Sequence, residues 1–217
     1  MTMAFHEHTA VFGGSFNPPH LGHQIAIQGL LKNPGVSRVL VVPSWGTPLK
    51  QTSVSFQERL NLAKLAFSGI AEVSSIEEQH ETRFTWQLLE ILSAQTQNLA
   101  FVIGTDQFQS LRAWNRYPDV LKLSDWLVLI RKPCTLDSIA DNIRSFASEN
   151  IIIPTADPRE WRINGSDRIL RFVETDAQEI SSTRIRENFY MNRAKENSKW
   201  LTPAVMEWIE RNHLYGT

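Results

Sequence analysis

From residue 9 to residue 212, short apolar β-rich runs take turns with helical patterns, and that alternation leaves the chain very few architectures. Residues 9–12, 38–42, 71–74, 100–103, 126–130, 151–154 and 169–173 read as strands. Residues 20–32, 55–67, 85–95, 136–147, 182–188 and 203–212 read as helices. Asn33-Pro34-Gly35 stops the first helix, and Pro203 sits in the first turn of the last. Ser55 caps the second, with Glu58 at capping-box spacing. Alternation of this kind requires right-handed crossovers, which predicts an α/β fold with a doubly wound, mainly parallel sheet. Ligands of such sheets sit beyond the carboxyl ends of the strands. Residues 155–167 are polar, contain Pro158, Trp161 and Gly165, and read as a loop or lid. Residues 1–217 are expected to form one domain, with 180–217 as a helical part packed on it.

The stretch 12–23, Phe-Gly-Gly-Ser-Phe-Asn-Pro-Pro-His-Leu-Gly-His, joins the first strand to the first helix. A helix mouth carries unpaired N–H groups and partial positive charge, which makes it an anion site. Gly13 and Gly14 lack the side chains that would keep a phosphate from the backbone. His20 and His23 are spaced i, i+3 and project from one face of the first helical turn. The arrangement suits a nucleoside triphosphate.

A second candidate anion site lies at residues 180–186, Ile-Ser-Ser-Thr-Arg-Ile-Arg. Ser181, Ser182 or Thr183 can cap the following helix, leaving spare N–H groups for a ligand. Arg184 and Arg186 are i, i+2, so one is expected to point into a crevice and the other to solvent. Asp106 ends a strand as an N-cap or a ribose ligand, and Trp114 serves core packing or ring stacking. Arg131-Lys132-Pro133 reads as a solvated strand exit, and His6, His8, His80 and His213 as surface or loop positions.

Composition narrows the function classes. The chain is 42% hydrophobic and 21% charged, as ordinary globular proteins are. Its formal net charge of −1 gives no global electrostatic case for nucleic acid or an anionic membrane. Cys134 is the one cysteine, which excludes an intramolecular disulfide and a multi-cysteine zinc site and fits a cytoplasmic setting. Residues 1–8 lack the apolar run of a signal peptide, and no apolar run approaches the ~18 residues of a membrane span.

Taken together these residues carry a resemblance. The chain is similar to the nucleotidyltransferase superfamily marked by H-x-G-H and I-S-S-T-x-I-R signatures, here His20-Leu21-Gly22-His23 and Ile180 to Arg186. Within it, the chain most resembles the bacterial nicotinate-nucleotide adenylyltransferase family, with further likeness at Pro48-Leu49-Lys50, Phe101 to Asp106, Arg131-Lys132-Pro133 and Leu201-Thr202-Pro203. The resemblance implies a Rossmann-like nucleotidyltransferase fold and transfer of AMP from ATP to nicotinate mononucleotide, giving deamido-NAD and pyrophosphate. It implies that His20 and His23 bind the ATP phosphates and stabilise the transition state, and that the backbone of Gly13, Gly14, Ser15 and Phe16 meets those phosphates. Asp106 would contact a ribose, while Ser182, Thr183 and Arg186 would hold the β- and γ-phosphates. Lys50, Thr85 and Trp114 would form the pyridine-nucleotide side. Mg²⁺ would arrive with ATP, held by phosphate oxygens and water rather than by a protein cage.

The sequence departs from that family at three places: Asn17 stands where Asp is frequent, Leu49 where a histidine precedes Lys50, and Arg83-Phe84-Thr85 where Ser-Tyr-Thr is usual. These touch the acceptor more than ATP. Nicotinamide mononucleotide is the first alternative acceptor, since acid and amide differ by a charge. Phosphopantetheine or cytidylyl transfer lies further off. A non-catalytic nucleotide-sensing module is the alternative of a different class.

Overall fold

The computed structural model describes residues 8–46, 54–178 and 180–217. Five parallel strands form the heart of one sheet: β1 (His8–Gly14), β2 (Val36–Pro43), β4 (Leu99–Gly104), β5 (Asp125–Lys132) and β8 (Ile169–Gln178). The short parallel β3 (Glu72–Val73) closes one edge. An antiparallel pair, β7 (Glu160–Ile163) and β6 (Ile152–Pro154), extends the other. The order is β3-β2-β1-β4-β5-β8-β7-β6, so the chain runs outward from β1 to β3, restarts beside β1 at β4 and passes to β5, then crosses to the far edge at β6 and returns through β7 to β8. The crevice between the carboxyl ends of β1 and β4 is the topological switch point of the sheet.

The predicted doubly wound sheet is the one observed, and its strands are buried on both faces. In β5, Leu127 and Leu129 join one core while Trp126, Val128 and Ile130 join the other. Period-two side-chain alternation produces this when neither face meets water. The first face is covered by α1 (Leu21–Leu31), α2 (Phe56–Ala66), α7 (Ser182–Tyr190) and α8 (Pro203–Arg211), whose Ile27, Leu62, Ile185 and Ile209 are fully buried there. The second face is covered by α4 (Thr85–Gln95) and α6 (Ala140–Ser148), through Leu88, Leu89, Leu92, Ile143 and Phe146. Each fully buried aliphatic or aromatic side chain contributes roughly 1.5–3 kcal/mol. No described helix is long and apolar enough to cross a membrane.

Three expectations need correction. Residues 155–167 are not a lid throughout: β7 lies within them and pairs with both β6 and β8. Its strand Glu-Trp-Arg-Ile alternates charged with apolar residues over four positions, too few to announce it; Gly165, at φ 71°, turns the hairpin. The four-residue helix α3 (Ile76–Gln79) and the five-residue α5 (Thr105–Gln109) escaped prediction because a helical period cannot show over so few positions. The reciprocal half of the capping box at Ser55 does not form either. Ser55 Oγ accepts from the Glu58 N–H, but the Glu58 carboxylate accepts from Trp208 Nε1 at 2.8 Å, tying α2 to α8.

His8 is likewise no surface residue. It opens β1, is 4% exposed, and meets Asp125 at the start of β5 through an Nε2–Oδ2 contact of 2.6 Å. Asp125 Oδ1 also accepts from the Ile169 N–H at 2.9 Å, so one carboxylate joins the starts of β1, β5 and β8. Asp125→Ala removes the acceptor for both donors inside the protein. It is expected to cost about 2–4 kcal/mol of unfolding free energy, measured by urea denaturation. A loss below about 0.5 kcal/mol would contradict this reading.

Candidate active site

The segment after β1 is shaped by where its backbone groups find partners. β1 runs two residues further than predicted, because Gly13 and Gly14 pair with Val42 and Pro43 of β2. The glycines are thus strand residues, and the turn begins at Ser15. Their missing side chains serve packing. A Cβ on Gly13 would lie 3.3 Å from the Phe101 ring, and one on Gly14 3.2 Å from the Phe16 ring. Phe16 occupies the left-handed region at φ 46°.

The carbonyls of this turn are drawn off by donors from distant elements. Arg59, 2% exposed on α2, gives Nη1 to the Ser15 carbonyl at 2.9 Å and Nη2 to the Ser44 carbonyl at 2.8 Å. Arg186 Nη1 donates to the Asn17 carbonyl at 2.7 Å, and Ser182 Oγ to the Pro18 carbonyl at 2.9 Å. A trans peptide points its N–H opposite its C=O. Tying the Ser15 carbonyl to Arg59 therefore aims the Phe16 N–H the other way. Ser15, Phe16 and Asn17 line a cleft of about 590 Å³ at the switch point.

His20 and His23 line the same cleft. His20 is the N-cap of α1, in extended conformation, and His23 is its third helical residue. Their rings stack with centroids 3.7 Å apart, and the Phe16 ring meets His23 edge-on at 5.2 Å. His23 Nδ1 accepts from the His20 backbone N–H at 3.2 Å. That nitrogen is therefore unprotonated, and a neutral ring carries its hydrogen on Nε2 as a donor. Burial, with Arg131 nearby, lowers the pKa of His20 from 6.5 to about 4. Burial, then His20 and Arg131, hold His23 well below 6.5. Both rings are neutral donors near pH 7.

The mouth of α1 offers fewer spare donors than its sequence suggests. The Leu21 N–H bonds the Trp200 carbonyl at 2.8 Å, and the His23 N–H bonds the His20 carbonyl. The open helix mouth is that of α7. Ser181 is its N-cap, accepting from the Arg184 N–H, while no described residue accepts from the N–H groups of Ser182 and Thr183. Ser182, Thr183 and Arg186 line the same cleft as the imidazoles, and Arg186 Nη2 also donates to Thr183 Oγ1. Arg184 turns away and lies over the Trp200 ring.

Asp106 lines the cleft from the first turn of α5; Gly104, not Asp106, is the N-cap. Arg131 stands 3.7 Å from its carboxylate. A Cβ on Gly104 would fall 2.5 Å from Asp106 Oδ1 and 2.9 Å from Arg131 Nη2, so this pair needs glycine behind it. Sequence reading undervalued Arg131 and Lys132. Both line the cleft, which with Arg186 carries three cations against the single carboxylate of Asp106 among the described residues. Only the sheet register could have revealed this, since it sets the end of β5 beside that of β4. No group of three or more His, Cys, Asp or Glu suited to a metal occurs among the described residues.

The acceptor-side candidates stand apart from this wall. Trp114 is half-buried and packs edge-to-face on Phe101 and Trp126 at 6.4 and 6.0 Å. Thr85 opens α4, and Gln87 Oε1 accepts from the N–H groups of Arg83 and Phe84 just before it. Neither Trp114 nor Thr85 lines the cleft as formed, and Leu49 and Lys50 lie outside the described residues. Glu77, unmarked by any sequence signal, accepts from the Trp45 N–H at 2.8 Å; burial pushes its pKa up to about 7.

The lowered pKa of His20 has a consequence for stability. As pH falls below 6.5 the unfolded chain takes up its proton first, while the folded chain resists until about pH 4. Stability present above pH 6.5 is therefore lost on the way down to pH 4. His20→Asn removes this titration. Between pH 7 and pH 4 the wild type should lose on the order of 3 kcal/mol more unfolding free energy than the variant, by parallel urea titrations. Equal losses would contradict the burial argument.

Comparison with known proteins places the chain among relatives of similar length. The profile of the cytidylyltransferase-like family matches residues 11–188. A protein of Desulfatibacillum aliphaticivorans named a probable nicotinate-nucleotide adenylyltransferase is 26% identical over 213 residues, covering 94% of this chain and 98% of its own. One of Pectobacterium atrosepticum with the same name is 28% identical over 214 residues, covering 95% and 98%. The Plasmodium falciparum nicotinic acid mononucleotide adenylyltransferase complexed with NaAD superposes with a TM-score of 0.71 at 16% identity, covering 97% of this chain and 98% of its own. A match over most of its length, with the imidazole pair and the open α7 mouth facing one cleft, makes this chain a member of the cytidylyltransferase-like family.

Proposed function

We propose that the protein is an adenylyltransferase that moves AMP from ATP to nicotinate mononucleotide, releasing deamido-NAD and pyrophosphate. One observation carries this reading: a stacked pair of imidazoles, the open N-terminus of α7 and Arg186 all line a single cleft. The names of the full-length relatives support the same acceptor.

The chemistry needs little beyond placement and charge. The attacking oxygen belongs to a phosphate monoester with a second pKa of about 6, so it is already anionic and no strong base is required. It attacks the α-phosphorus of ATP; the bond from that phosphorus to the bridging oxygen breaks, and pyrophosphate leaves with the electron pair. The barrier is repulsion between anions and charge growing on the leaving group. The His23 Nε2–H, the Phe16 N–H, the Ser182 and Thr183 N–H groups, and Arg186 would donate to those oxygens. His23 keeps its role as a neutral donor because protonating Nδ1 would break its bond with the His20 N–H. ATP would enter as its magnesium complex, in which the ion neutralises phosphate charge. With no carboxylate cluster among the described residues, phosphate oxygens, water and at most Asp106 would hold it. Asp106 would meet a ribose, and Lys50, Thr85 and Trp114 the pyridine nucleotide, the Trp114 ring stacking on it.

Pyrophosphate release from ATP, measured with nicotinate and nicotinamide mononucleotides side by side, tests the reading. Turnover is expected with the acid. ATP binding without turnover on either acceptor would point to a sensor instead. His23→Ala should keep the fold and lower turnover about 10²–10³-fold, the worth of one oxyanion donor. Near-normal turnover in that variant would remove the proposed mechanism.

A further inference from the structure

Tyr215 lies 198 residues from Asn17, yet its hydroxyl donates to Asn17 Oδ1 at 2.7 Å inside the protein. The two residues are 4% and 6% exposed. The backbone around Tyr215 is unusual. His213, Tyr215 and Gly216 have φ of 50°, 60° and 82°, a left-handed winding that residues with a Cβ avoid. That winding turns the Tyr215 ring inward, stacked on Phe189 with centroids 5.9 Å apart. Packing alone would not need the hydroxyl, and the hydroxyl reaches one residue of the nucleotide turn. Asn17 is held at both ends, its side chain by Tyr215 and its carbonyl by Arg186. Arg186 reaches Thr183 with its other nitrogen, so the chain of bonds runs from Tyr215 through the turn to the mouth of α7.

We propose that Tyr215 is a positioning residue for the nucleotide turn: its hydroxyl, acting through Asn17, holds the segment and the Arg186 guanidinium where ATP phosphates bind. Tyr215 itself does not line the cleft. The inference rests on the adenylyl-transfer reading and assigns the hydroxyl to the ATP side alone. It also accounts for asparagine at position 17, whose side-chain oxygen accepts this bond without adding negative charge beside the polyphosphate.

Tyr215→Phe keeps the ring and removes the bond. The KM for ATP should rise about 5–10-fold, the worth of one buried hydrogen bond, while the KM for the pyridine mononucleotide stays within about twofold. Asn17→Ala should raise the KM for ATP similarly, and the double variant should be no worse than the single ones, because both cut the same link. A merely structural hydroxyl would lower the melting temperature and leave both KM values alone. That result, additive single effects, or a Tyr215→Phe protein that cannot fold would overturn the proposal. Isothermal titration with ATP alone separates the two readings. If wild type turns over no acceptor, the function reading fails, and weaker ATP binding by Tyr215→Phe still decides the role of the hydroxyl.

Discussion

The turn after β1 gives up its carbonyl oxygens to donors from distant elements, and the shape of the cleft depends on this. The carbonyls of Ser15, Asn17 and Pro18 are taken by Arg59, Arg186 and Ser182. The Gly14 carbonyl is taken by the Ser44 N–H. These donors come from α2, α7 and the end of β2, so the turn is shaped by elements remote in sequence. Arg59 takes one carbonyl from this turn and one from the segment after β2. Its guanidinium spans the exits of β1 and β2, and charge-assisted bonds of this kind are worth about 1.5–3 kcal/mol each. Burial lowers its pKa, and the neighbouring Tyr215 and Glu77 act in the opposite direction.

The electrostatics of the cleft follow from the same layout. A chain with net charge −1 gathers Arg131, Lys132 and Arg186 at the carboxyl ends of its strands, where helix mouths add partial positive charge. The imidazoles contribute hydrogen-bond donors without formal charge, because burial and Arg131 keep them unprotonated. Attraction for the anion is therefore supplied by the arginines, the lysine and the dipole of α7. The histidines supply direction at short range.

Stability and chemistry occupy opposite ends of the sheet. His8 and Asp125 lie at the starts of β1 and β5, and with the Ile169 N–H they lace the amino ends together. The cleft opens at the carboxyl ends. A polar network at the closed end can thus hold strand order without touching the residues that line the cleft.

Much of this was legible in the sequence. Strand and helix alternation implied the doubly wound sheet, since local periodicity reports which faces are buried. The two signatures pointed to the residues that gather at the cleft, since His20, His23, Ser182, Thr183 and Arg186 all line it, whereas Gly13 and Gly14 turned out to be strand residues that serve packing. Other features belonged to the tertiary structure alone. His8 read as a surface residue because nothing near it in sequence announces Asp125, 117 positions away. Arg131 read as a solvated strand exit until the register placed it beside Asp106 and the imidazoles. The bond from Tyr215 to Asn17 and the double grip of Arg59 join segments that only folding brings together. The physical reason is range: sequence patterns record the burial of neighbouring residues, whereas the fate of a carbonyl or a buried charge is decided by whichever distant donor the packed chain delivers to it.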